Sequence, residues 1–390
     1  MRILYIHRTR GTGVEAVHIN GIVNAFKNLG HEVIVLSPNG SIFGDVDQPR
    51  VGNGAGSSAL CRTMVRFSRT APEFLFECAE LLYNFPGYSM ALTTAKRLRC
   101  DFIFERYAFF GVVGALLSAH LSLPWVLEVN YTSQNQLVRQ RSRVFSSFAK
   151  SLEQRMFLRS SGLVTVSSFL RDHLIKDYGV EATRVVVLPN ATDPDIFHPE
   201  VHPQSQCGTQ LIDGKIIGFV GGFYPWHGLD ILLDAFCSLE NEFPDLKLLL
   251  IGDGPERRRL EERAKLSGVG HRVLFAGTIS HGNLPKWIAS FHIGVMPDSN
   301  EYGSPMKIFE YMSMGKPVVV PDYIPLHDAV DDGVEGLIFP PGSAEALAER
   351  IRLLLGDAWT YKRMAEAARR RVVQRHNWEQ NARMIVESFC

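Results

Sequence analysis

The chain has 390 residues, of which 46% are hydrophobic, with 41 Lys and Arg against 41 Asp and Glu. This length exceeds one ordinary hydrophobic core, so we expect two domains, and the zero net charge excludes the strongly basic character of many nucleic-acid-binding proteins. The six cysteines form no C-x-x-C pair, and no apolar run reaches the roughly 18 residues of a membrane-spanning helix. Because the first residues form a strand pattern instead of a secretory signal, we expect a cytoplasmic globular protein. The oligomeric state is not evident from the sequence.

Short apolar runs alternate with helix-length segments through the first half of the chain. The runs lie at 2–7, 31–37, 101–106, 124–130, 162–167 and 184–190. Apolar strands with little polar alternation, separated by helices, are typical of parallel sheets covered on both faces. We therefore predict a doubly wound α/β domain over residues 1–200.

A polar stretch at 200–214 has the composition of a linker, and a second series of apolar runs follows it. These runs lie at 215–222, 246–254, 272–277, 293–297, 317–322 and 336–341. They alternate with helical segments such as 228–240 and 255–267, which predicts a second doubly wound domain over residues 201–371. The remaining residues are predicted as helix around an interruption at Asn377, which can cap the final segment.

A glycine pattern follows the first predicted strand. Residues 11–16 read Gly-Thr-Gly-Val-Glu-Ala and fit G-x-G-x-x-G/A, the fingerprint of dinucleotide-binding domains. Four residues, however, separate the strand from Gly11, and the second strand ends at Leu36-Ser37-Pro38 without the acidic residue that binds a ribose. Two interpretations remain open, a simple turn and a glycine loop that faces a phosphate at a helix start.

A second anion-binding pattern lies at residues 303–310. Gly303, Ser304 and Pro305 precede a predicted helix, with a proline suited to its first turn. Lys307 and Glu310 are three residues apart and therefore share one face of that helix. The helix amides and Lys307 would hold a diphosphate, while Glu310 can accept two hydrogen bonds from a ribose diol. An ordinary capped helix with a solvated Lys/Glu pair is the alternative.

Eight segments, in a fixed order, carry a family resemblance. They read GTGVEAVH, LGHEVIVLSP, VTVSSFLRDHL, VVVLPNATDPDIFHP, GFVGGFYPWHGLDILLDAF, LLLIGDGPERRRLEE, VLFAGTISHGNLPKWIASFHIGVMP and SPMKIFEYMSMGKPVVV. In this order the chain resembles the retaining GT-B glycosyltransferases, in particular glycosyltransferase family 4 (glycosyl transferases group 1). The resemblance implies an α/β GT-B fold, with two Rossmann-like doubly wound parallel-sheet domains facing across a cleft.

The same resemblance implies roles for the two domains. Residues 1–200 would bind the acceptor, and a helix at about 372–390 would pack back on them. Residues 201–371 would bind a nucleoside-diphosphate sugar, of the UDP or GDP type, with no cofactor required.

Individual donor-binding positions also follow from the resemblance. Glu310 matches the glutamate that binds the donor ribose, and Gly13 matches the glycine loop that contacts the pyrophosphate from the opposite domain. In the family, the amides at one helix start contact the distal phosphate and the sugar. The matching residues of this chain are Ser304, Pro305 and Met306. The segment whose backbone commonly reads the base is matched by Gly277, Thr278 and Ile279.

The chain departs from the family pattern in the donor domain. The first glutamate of the usual E-x7-E pair falls on Tyr302, with Glu301 one residue early. The Arg and Lys that usually neutralise the diphosphate fall on Gly222 and His227. Lys307 could supply one charge and His227 a donor, protonated if a phosphate raises its pKa. The alternative is a structural role for His227, as a cap or a packing residue.

On the acceptor side, many relatives have a His where this chain has Asn130. Glu128 lies two residues earlier on the same predicted strand, so both side chains point the same way. Glu128 could orient or deprotonate an acceptor hydroxyl, or be a satisfied strand-end carboxylate. Further acceptor-side candidates are Glu105 and Arg106, which can pair with each other or with Glu128, and Tyr131.

The resemblance implies transfer of a sugar to a hydroxyl acceptor with retention of anomeric configuration. The candidate catalytic residues are Glu128, Asn130, His227 and Lys307. We expect no metal ion, because the D-x-D sequence at 193–195 falls in a loop of the first domain, and helix amides with one or two cations can stabilise the leaving diphosphate. Two other activities stay open, an epimerase-type enzyme on the same architecture and a silent nucleotide-sugar-binding module.

One segment suggests a membrane partner. Residues 137–159 hold six basic residues and one acidic residue among Phe, Leu and Met side chains. Such a helix could lie against anionic lipid at the inner face of the membrane, although a core-facing helix is the favoured interpretation.

Overall fold

The computed structural model describes residues 1–9, 13–37, 40–42, 72–134, 144–203 and 214–390. Parts of three predicted features lie outside these ranges. They are Gly11 and Thr12 of the glycine loop, residues 204–213 of the linker and residues 137–143 of the basic segment. The chain divides into two compact units. The first contains Met1–Leu188 and Asn381–Cys390, and the second contains Pro189–Gln380.

The first unit is built on a seven-stranded sheet with the order β3-β2-β1-β4-β5-β6-β7. Its strands are β1 (Arg2–Ile6), β2 (Glu32–Ser37), β3 (Gly40–Ile42), β4 (Phe102–Arg106), β5 (Trp125–Val129), β6 (Gly162–Thr165) and β7 (Val185–Val187). All neighbouring strands run parallel except β2 and β3. The six apolar runs are therefore confirmed as strands, while β3 was not predicted.

The first unit has six helices within the described residues. They are α1 (Val14–Asn28), α2 (Glu73–Leu82), α3 (Asn84–Leu98), α4 (Val113–Leu121), α5 (Ser146–Arg159) and α6 (Ser168–Tyr178). α6 begins where the Ser167 hydroxyl accepts a hydrogen bond from the Leu170 amide, and it ends at Gly179 with φ of 72°. These are the usual polar cap and left-handed glycine of a helix.

The second unit is built on a six-stranded, fully parallel sheet with the order β10-β9-β8-β11-β12-β13. Its strands are β8 (Ile216–Val220), β9 (Lys247–Ile251), β10 (Val273–Gly277), β11 (Ile293–Val295), β12 (Val318–Pro321) and β13 (Gly336–Phe339). This is the Rossmann order 3-2-1-4-5-6, in which ligands bind where the order reverses. That point lies at the carboxyl ends of β8 and β11.

Helices cover both faces of this second sheet. They are α7 (Leu229–Leu239), α8 (Arg257–Leu266), α9 (Leu284–Ile288), α10 (Met306–Ser313), α11 (Ile324–His327), α12 (Ala344–Gly356) and α13 (Ala358–Arg375). The last helix, α14 (Trp378–Phe389), belongs mostly to the first unit. Adjacent strand residues enter different cores: Ile217 belongs to the cluster that contains Phe236, whereas Ile216 belongs to the cluster that contains Phe309. The sheet is thus buried on both sides, as its apolar strands predicted.

The interruption between α13 and α14 lies at Asn377, as predicted. Its Oδ1 accepts a hydrogen bond from the Gln380 amide at 2.8 Å. α14 begins in the second unit and ends in the first, where the ring of Phe389 lies 2.0 Å from an ideal Cβ built on Gly162. A side chain at Gly162 would therefore displace Phe389. In the described ranges, no helix combines the length and the apolar character needed to cross a membrane.

Candidate functional site

The turn that follows β8 brings the backbone close to the first turn of α10. Gly221 has φ of 152°, and a Cβ atom there would lie 2.6 Å from Lys307 Nζ. The Gly221 amide donates to the Ile251 carbonyl at 2.9 Å, which ties the turn to the end of β9. Since a side chain at Gly221 would meet the ammonium group directly, glycine allows Lys307 to lie against the backbone.

Lys307 is a buried cation without a counterion in contact. Its Nζ has no hydrogen-bond partner among the described residues and lies 4.2 Å above the ring centroid of Phe219. Burial lowers the pKa of Lys307 to about 7, against the opposing effect of Glu310. A buried ammonium group costs free energy unless it is paired. Its position in the first turn of α10, beside the helix amides, makes this place suited to an anion.

His227 lies beside this cation. Its Nδ1 donates to the Gly222 carbonyl at 2.5 Å, so the neutral ring has its unprotonated nitrogen at Nε2. Burial and the nearby Lys307 lower the pKa of His227 to about 4. Without a ligand the ring is therefore neutral, and its Nε2 can only accept a hydrogen bond. The predicted donation from His227 to a phosphate requires a second proton.

Tyr224 explains why position 222 is a glycine. A Cβ atom on Gly222 would lie 2.5 Å from Cε2 and 2.7 Å from Cδ2 of Tyr224. The tyrosine ring thus occupies the space next to the backbone in which the side chain of an arginine, expected at position 222 from the family resemblance, would begin. Tyr224 itself stacks on Trp226, with ring centroids 4.5 Å apart and an interplanar angle of 5°. Neither aromatic residue was singled out in the sequence.

Glu310 is nearly buried and already has one partner. His281 Nε2 lies 2.8 Å from Glu310 Oε1, and the His281 ring packs against Phe197 at 5.3 Å between centroids. This contact uses part of the acceptor capacity of Oε1 and leaves Oε2 for a ligand, and the binding of a ribose diol by Glu310 stays a prediction. The sequence contained one weak signal for His281, which lies two residues after Ile279, the end of the segment expected to read the base.

The other predicted donor residues lie at the start of α10 and at the end of β10. Ser304 Oγ accepts from the Asn190 amide at 2.9 Å, so this hydroxyl is used within the second unit. Pro305 is the N-cap of α10, and the buried Met306 is its first residue. Gly277 ends β10 with φ of 74° and leads into Thr278 and Ile279.

The first unit contains a second buried cluster, centred on Glu128 at the end of β5. Three donors meet Glu128 Oε1: His18 Nε2 at 2.7 Å, Arg106 Nη1 at 2.9 Å and Asn130 Nδ2 at 2.8 Å. Burial raises the pKa of this carboxyl, but His18 and Arg106 outweigh it and lower the pKa to about 2. Oε2 is buried and has no partner among the described residues. Glu128 is therefore a fixed carboxylate with one unused oxygen.

The predicted neighbours of Glu128 divide between two sides of the sheet. Arg106 contacts Glu128, one of the two pairings left open by the sequence, and Asn130 contacts it from the same side of the strand. Glu105 faces the other way and accepts from Trp125 Nε1 at 2.9 Å, so it does not pair with Arg106. Burial raises the pKa of Glu105 to about 7. Tyr131 packs edge-on against Tyr107.

Gly13 caps the start of α1 in the first unit. Its φ of 66° is in the left-handed region, and no atom of the described residues other than its chain neighbours lies within 4 Å of an ideal Cβ. The backbone conformation, and not crowding, is the reason for glycine here. Its contact with a donor pyrophosphate stays a prediction. Among the described residues, no group of three or more His, Cys, Asp or Glu side chains could hold a metal ion.

Two family models match the chain one after the other. Glycosyltransferase Family 4 matches residues 13–196, and Glycosyl transferases group 1 matches residues 210–371. The chain belongs to glycosyltransferase family 4. Among curated members, it is 26% identical to an alpha-D-kanosaminyltransferase of Streptomyces kanamyceticus, over 71% of this chain and 74% of that protein. It is also 26% identical to a D-inositol 3-phosphate glycosyltransferase of Corynebacterium urealyticum, over 79% and 75% of the two chains.

Solved structures of this glycosyltransferase fold confirm the architecture. Anabaena HepE in complex with UDP has a TM-score of 0.72 and 18% identity, and the match covers 100% of this chain and 99% of HepE. Sucrose-phosphate synthase from Thermosynechococcus elongatus has a TM-score of 0.69 and 21% identity, over 99% and 97% of the chains. The predicted family and the GT-B fold with two Rossmann-like domains are thus both confirmed.

Proposed function

We propose that this family 4 glycosyltransferase moves a hexose from a nucleoside-diphosphate sugar to a hydroxyl acceptor, with retention of anomeric configuration. The donor is assigned to the second unit and the acceptor to the first. The observation that carries this proposal is the buried ammonium group of Lys307 at the start of α10, which has no hydrogen-bond partner among the described residues. A diphosphate would supply the missing counterion.

The nucleotide is assigned to the residues around α10. The α10 amides and Lys307 take the diphosphate, Glu310 Oε2 takes a ribose hydroxyl, and the backbone from Gly277 to Ile279 takes the base. Anabaena HepE has been solved with UDP, with UDP and glucose, and with UDP-glucose. These complexes support a nucleotide sugar of the UDP type, with the GDP type as the alternative.

In the proposed step the bond between the sugar C1 and the diphosphate oxygen breaks, and a bond from C1 to the acceptor oxygen forms on the same face. The acceptor proton goes to the leaving phosphate oxygen, so no protein nucleophile is needed. Negative charge grows on the diphosphate as the bond breaks. Lys307 and the α10 amides stabilise that charge without a metal ion.

The acceptor is assigned to the cluster around Glu128. The three donors on Oε1 hold the carboxylate in place and leave Oε2 to accept a hydrogen bond from the acceptor hydroxyl. A carboxylate with so low a pKa orients that hydroxyl better than it removes its proton. Asn130 and Tyr131 follow at the same strand end, as further contacts for the two sugars.

A peripheral contact with the inner face of the cytoplasmic membrane is a second part of the proposal. α5 buries Ala149, Met156 and Phe157, which agrees with the core-facing interpretation. Its other side exposes Phe148 and Leu158. The exposed basic residues of the same helix are Lys150, Arg155 and Arg159. Sedimentation with anionic liposomes at low and physiological salt tests this contact, and absence of binding at both would remove it.

Nucleotide binding followed by turnover tests the main proposal. We expect calorimetric binding of one or more of UDP, GDP, ADP and TDP, and EDTA-resistant transfer from the corresponding hexose ester to a glycoside acceptor. NMR of the first product formed reports the anomeric configuration. Turnover of the donor without any acceptor product would instead indicate an epimerase-type enzyme. Binding with neither transfer nor hydrolysis would indicate a silent module.

A further inference from the structure

The stack formed by Tyr224 and Trp226 is an exposed aromatic surface on the loop between β8 and α7. The two residues are 40% and 47% exposed, although both are large and largely apolar. Among the described residues, neither the Tyr224 hydroxyl nor Trp226 Nε1 has a hydrogen-bond partner. Two exposed rings held in parallel, with free polar groups at their edges, are typical of a surface that binds another molecule.

The loop holds this stack in one position. The buried Phe223 precedes it, and the Phe223 amide donates to the Asp253 carbonyl at 2.9 Å. The short 3-10 helix Pro225–His227 follows and ends at Gly228, which has φ of 64°. Fixed rings lose little conformational entropy when a ligand binds, so the stack is preorganised.

The stack adjoins the cationic place at Lys307. The centroid of the His227 ring lies 6.3 Å from that of Tyr224, 6.2 Å from that of Trp226 and 5.8 Å from that of Phe219. Lys307 Nζ lies 4.2 Å above that same Phe219 ring. A continuous run of contacts therefore connects the unpaired ammonium group to the exposed stack.

The stack follows a different strand from the segment assigned to the base. The base is assigned to the end of β10, which is two strands away from β8, a distance of about 10 Å. The stack follows β8 itself, where Gly221 meets Lys307. The loop begins beside the turn after β9, where the Phe223 amide donates to the Asp253 carbonyl, and it ends at Gly228, where an ideal Cβ would lie 2.6 Å from Asp298 Cβ beyond β11. Tyr224 and Trp226 lie on the loop between these two contacts.

We propose that Tyr224 and Trp226 form a subsite for the pyranose ring of a sugar next to the diphosphate, an inference that rests on the proposed function. A pyranose has an apolar C–H face that packs on an aromatic ring, and its hydroxyls can reach the phenol and indole groups at the edges. The ring can come from the donor sugar or from a sugar acceptor. The Tyr224 ring occupies the space where the arginine expected from the family resemblance would begin. This chain therefore has a sugar-binding surface in place of a second cation.

The test follows the signal of Trp226 by fluorine NMR in the full-length protein labelled with 5-fluorotryptophan. The chain has five tryptophans, and Trp226→Phe assigns the signal. Trp359, which is 72% exposed on α13, is the matched control. The nucleoside diphosphate that binds most tightly among UDP, GDP, ADP and TDP is added first. Its glucose, galactose, N-acetylglucosamine and mannose esters are then added separately, and methyl pyranosides are added to the nucleotide-saturated protein.

We expect the Trp226 signal to shift with a sugar ester beyond its shift with the nucleotide alone, which identifies the donor sugar, or with a pyranoside, which identifies a sugar acceptor. The Trp359 signal should not move. Trp226→Ala should weaken binding of that sugar compound by about three- to tenfold and leave nucleotide affinity unchanged, whereas Trp226→Tyr should restore most of it.

Three results would overturn the subsite. They are a Trp226 signal that no sugar compound moves, a shift produced in full by the nucleotide alone, and equal weakening of nucleotide and sugar ester by Trp226→Ala. The last two would indicate that the base stacks here. In each of these cases nucleotide binding persists and the proposed function stands. Absence of nucleotide binding by the unmodified protein would count against the proposed function itself, and the subsite would fall with it.

Discussion

His281 Nε2 lies 2.8 Å from Glu310 Oε1, which ties the 3-10 helix His281–Asn283 to the last turns of α10. This contact fixes the direction of the Glu310 carboxylate and leaves Oε2 facing a ligand. If Glu310 binds the donor ribose, His281 acts on the ribose through it, as a positioning residue.

We expect His281→Ala to weaken nucleoside diphosphate binding about tenfold and to reduce the preference for a ribonucleotide over its 2′-deoxy analogue. Glu310→Ala should cost more, on the order of 1.5–3 kcal/mol, because it removes the charged acceptor. Calorimetry with both nucleotides measures the two effects. His327→Ala is the control, since His327 Nε2 contacts Asp322 Oδ1 at 2.7 Å in an exposed pair. An unchanged ribose preference in His281→Ala would contradict the positioning role.

Lys307→Met should affect stability and binding in opposite directions. Burial lowers the pKa of Lys307 in the folded protein to about 7, so the unfolded chain binds more protons between pH 7 and the ordinary lysine pKa of 10.5. The free-energy cost of burying charged Lys307 therefore reduces stability fully below pH 7, and this cost decreases as the pH rises to 10.5. We expect the variant to be more stable by about 1–4 kcal/mol at pH 7, with the difference shrinking toward pH 10. Chemical denaturation measures this, while calorimetry should show weaker nucleotide binding.

The pH dependence of binding follows from the same group. A bound diphosphate favours charged Lys307, so binding takes up a proton once the pH exceeds 7, and affinity should fall by up to about tenfold per unit above it. His227, whose pKa burial and Lys307 lower to about 4, stays neutral in the free protein over this range. The nucleotide ionises in the same way with the unmodified protein and with Lys307→Met, so its effect cancels when the pH dependence of the two proteins is compared. Identical slopes for the two proteins would remove Lys307 from the phosphate site.

Glu128→Gln should lower turnover by about tenfold or more and leave nucleotide affinity unchanged, because Glu128 belongs to the acceptor cluster of the first unit. Glu105→Gln is the matched control. It changes a buried carboxyl on the neighbouring strand that accepts from Trp125 Nε1, away from the donors on Glu128. Circular dichroism confirms that both variants fold. Normal turnover in Glu128→Gln would make this residue part of the scaffold.

Gly222→Arg tests the account of the tyrosine ring. We expect the single variant to lower the melting temperature, because its Cβ would overlap the Tyr224 ring. Tyr224→Ala should remove the overlap, so the double variant should be more stable than the sum of the two single changes predicts. If the losses of melting temperature in the two single variants simply add up in the double variant, the Tyr224 ring does not obstruct a side chain at position 222.

Most of the sheet architecture could be predicted from the sequence, because buried parallel strands appear as apolar runs of nearly the right length. The missed elements have weaker signals. β3 has three residues, and neither α2 nor α3 has a side-chain hydrogen bond at its N-cap. Their starts therefore lack the polar residue that usually marks a helix.

The candidate site was predictable where its residues are close in sequence. Lys307 and Glu310 share one helix face by spacing alone. The contact of His281 with Glu310 joins residues 29 positions apart in the sequence. Whether an arginine fits at position 222 depends on the side-chain conformation of Tyr224. The burial that makes Lys307 unusual comes from Phe219 and the Gly221 backbone, which only the folded sheet brings to it.

The second unit is an insertion within the first, because the chain leaves the first unit after Leu188 and re-enters it at Asn381. A single protease cut at that first junction would not yield two self-sufficient fragments. The longer fragment would keep Phe389, and the shorter one would keep Gly162, against which that ring packs. Expressing the first unit by itself would therefore require splicing residue 188 to residue 381, whereas residues 189–380 can be excised as one uninterrupted segment.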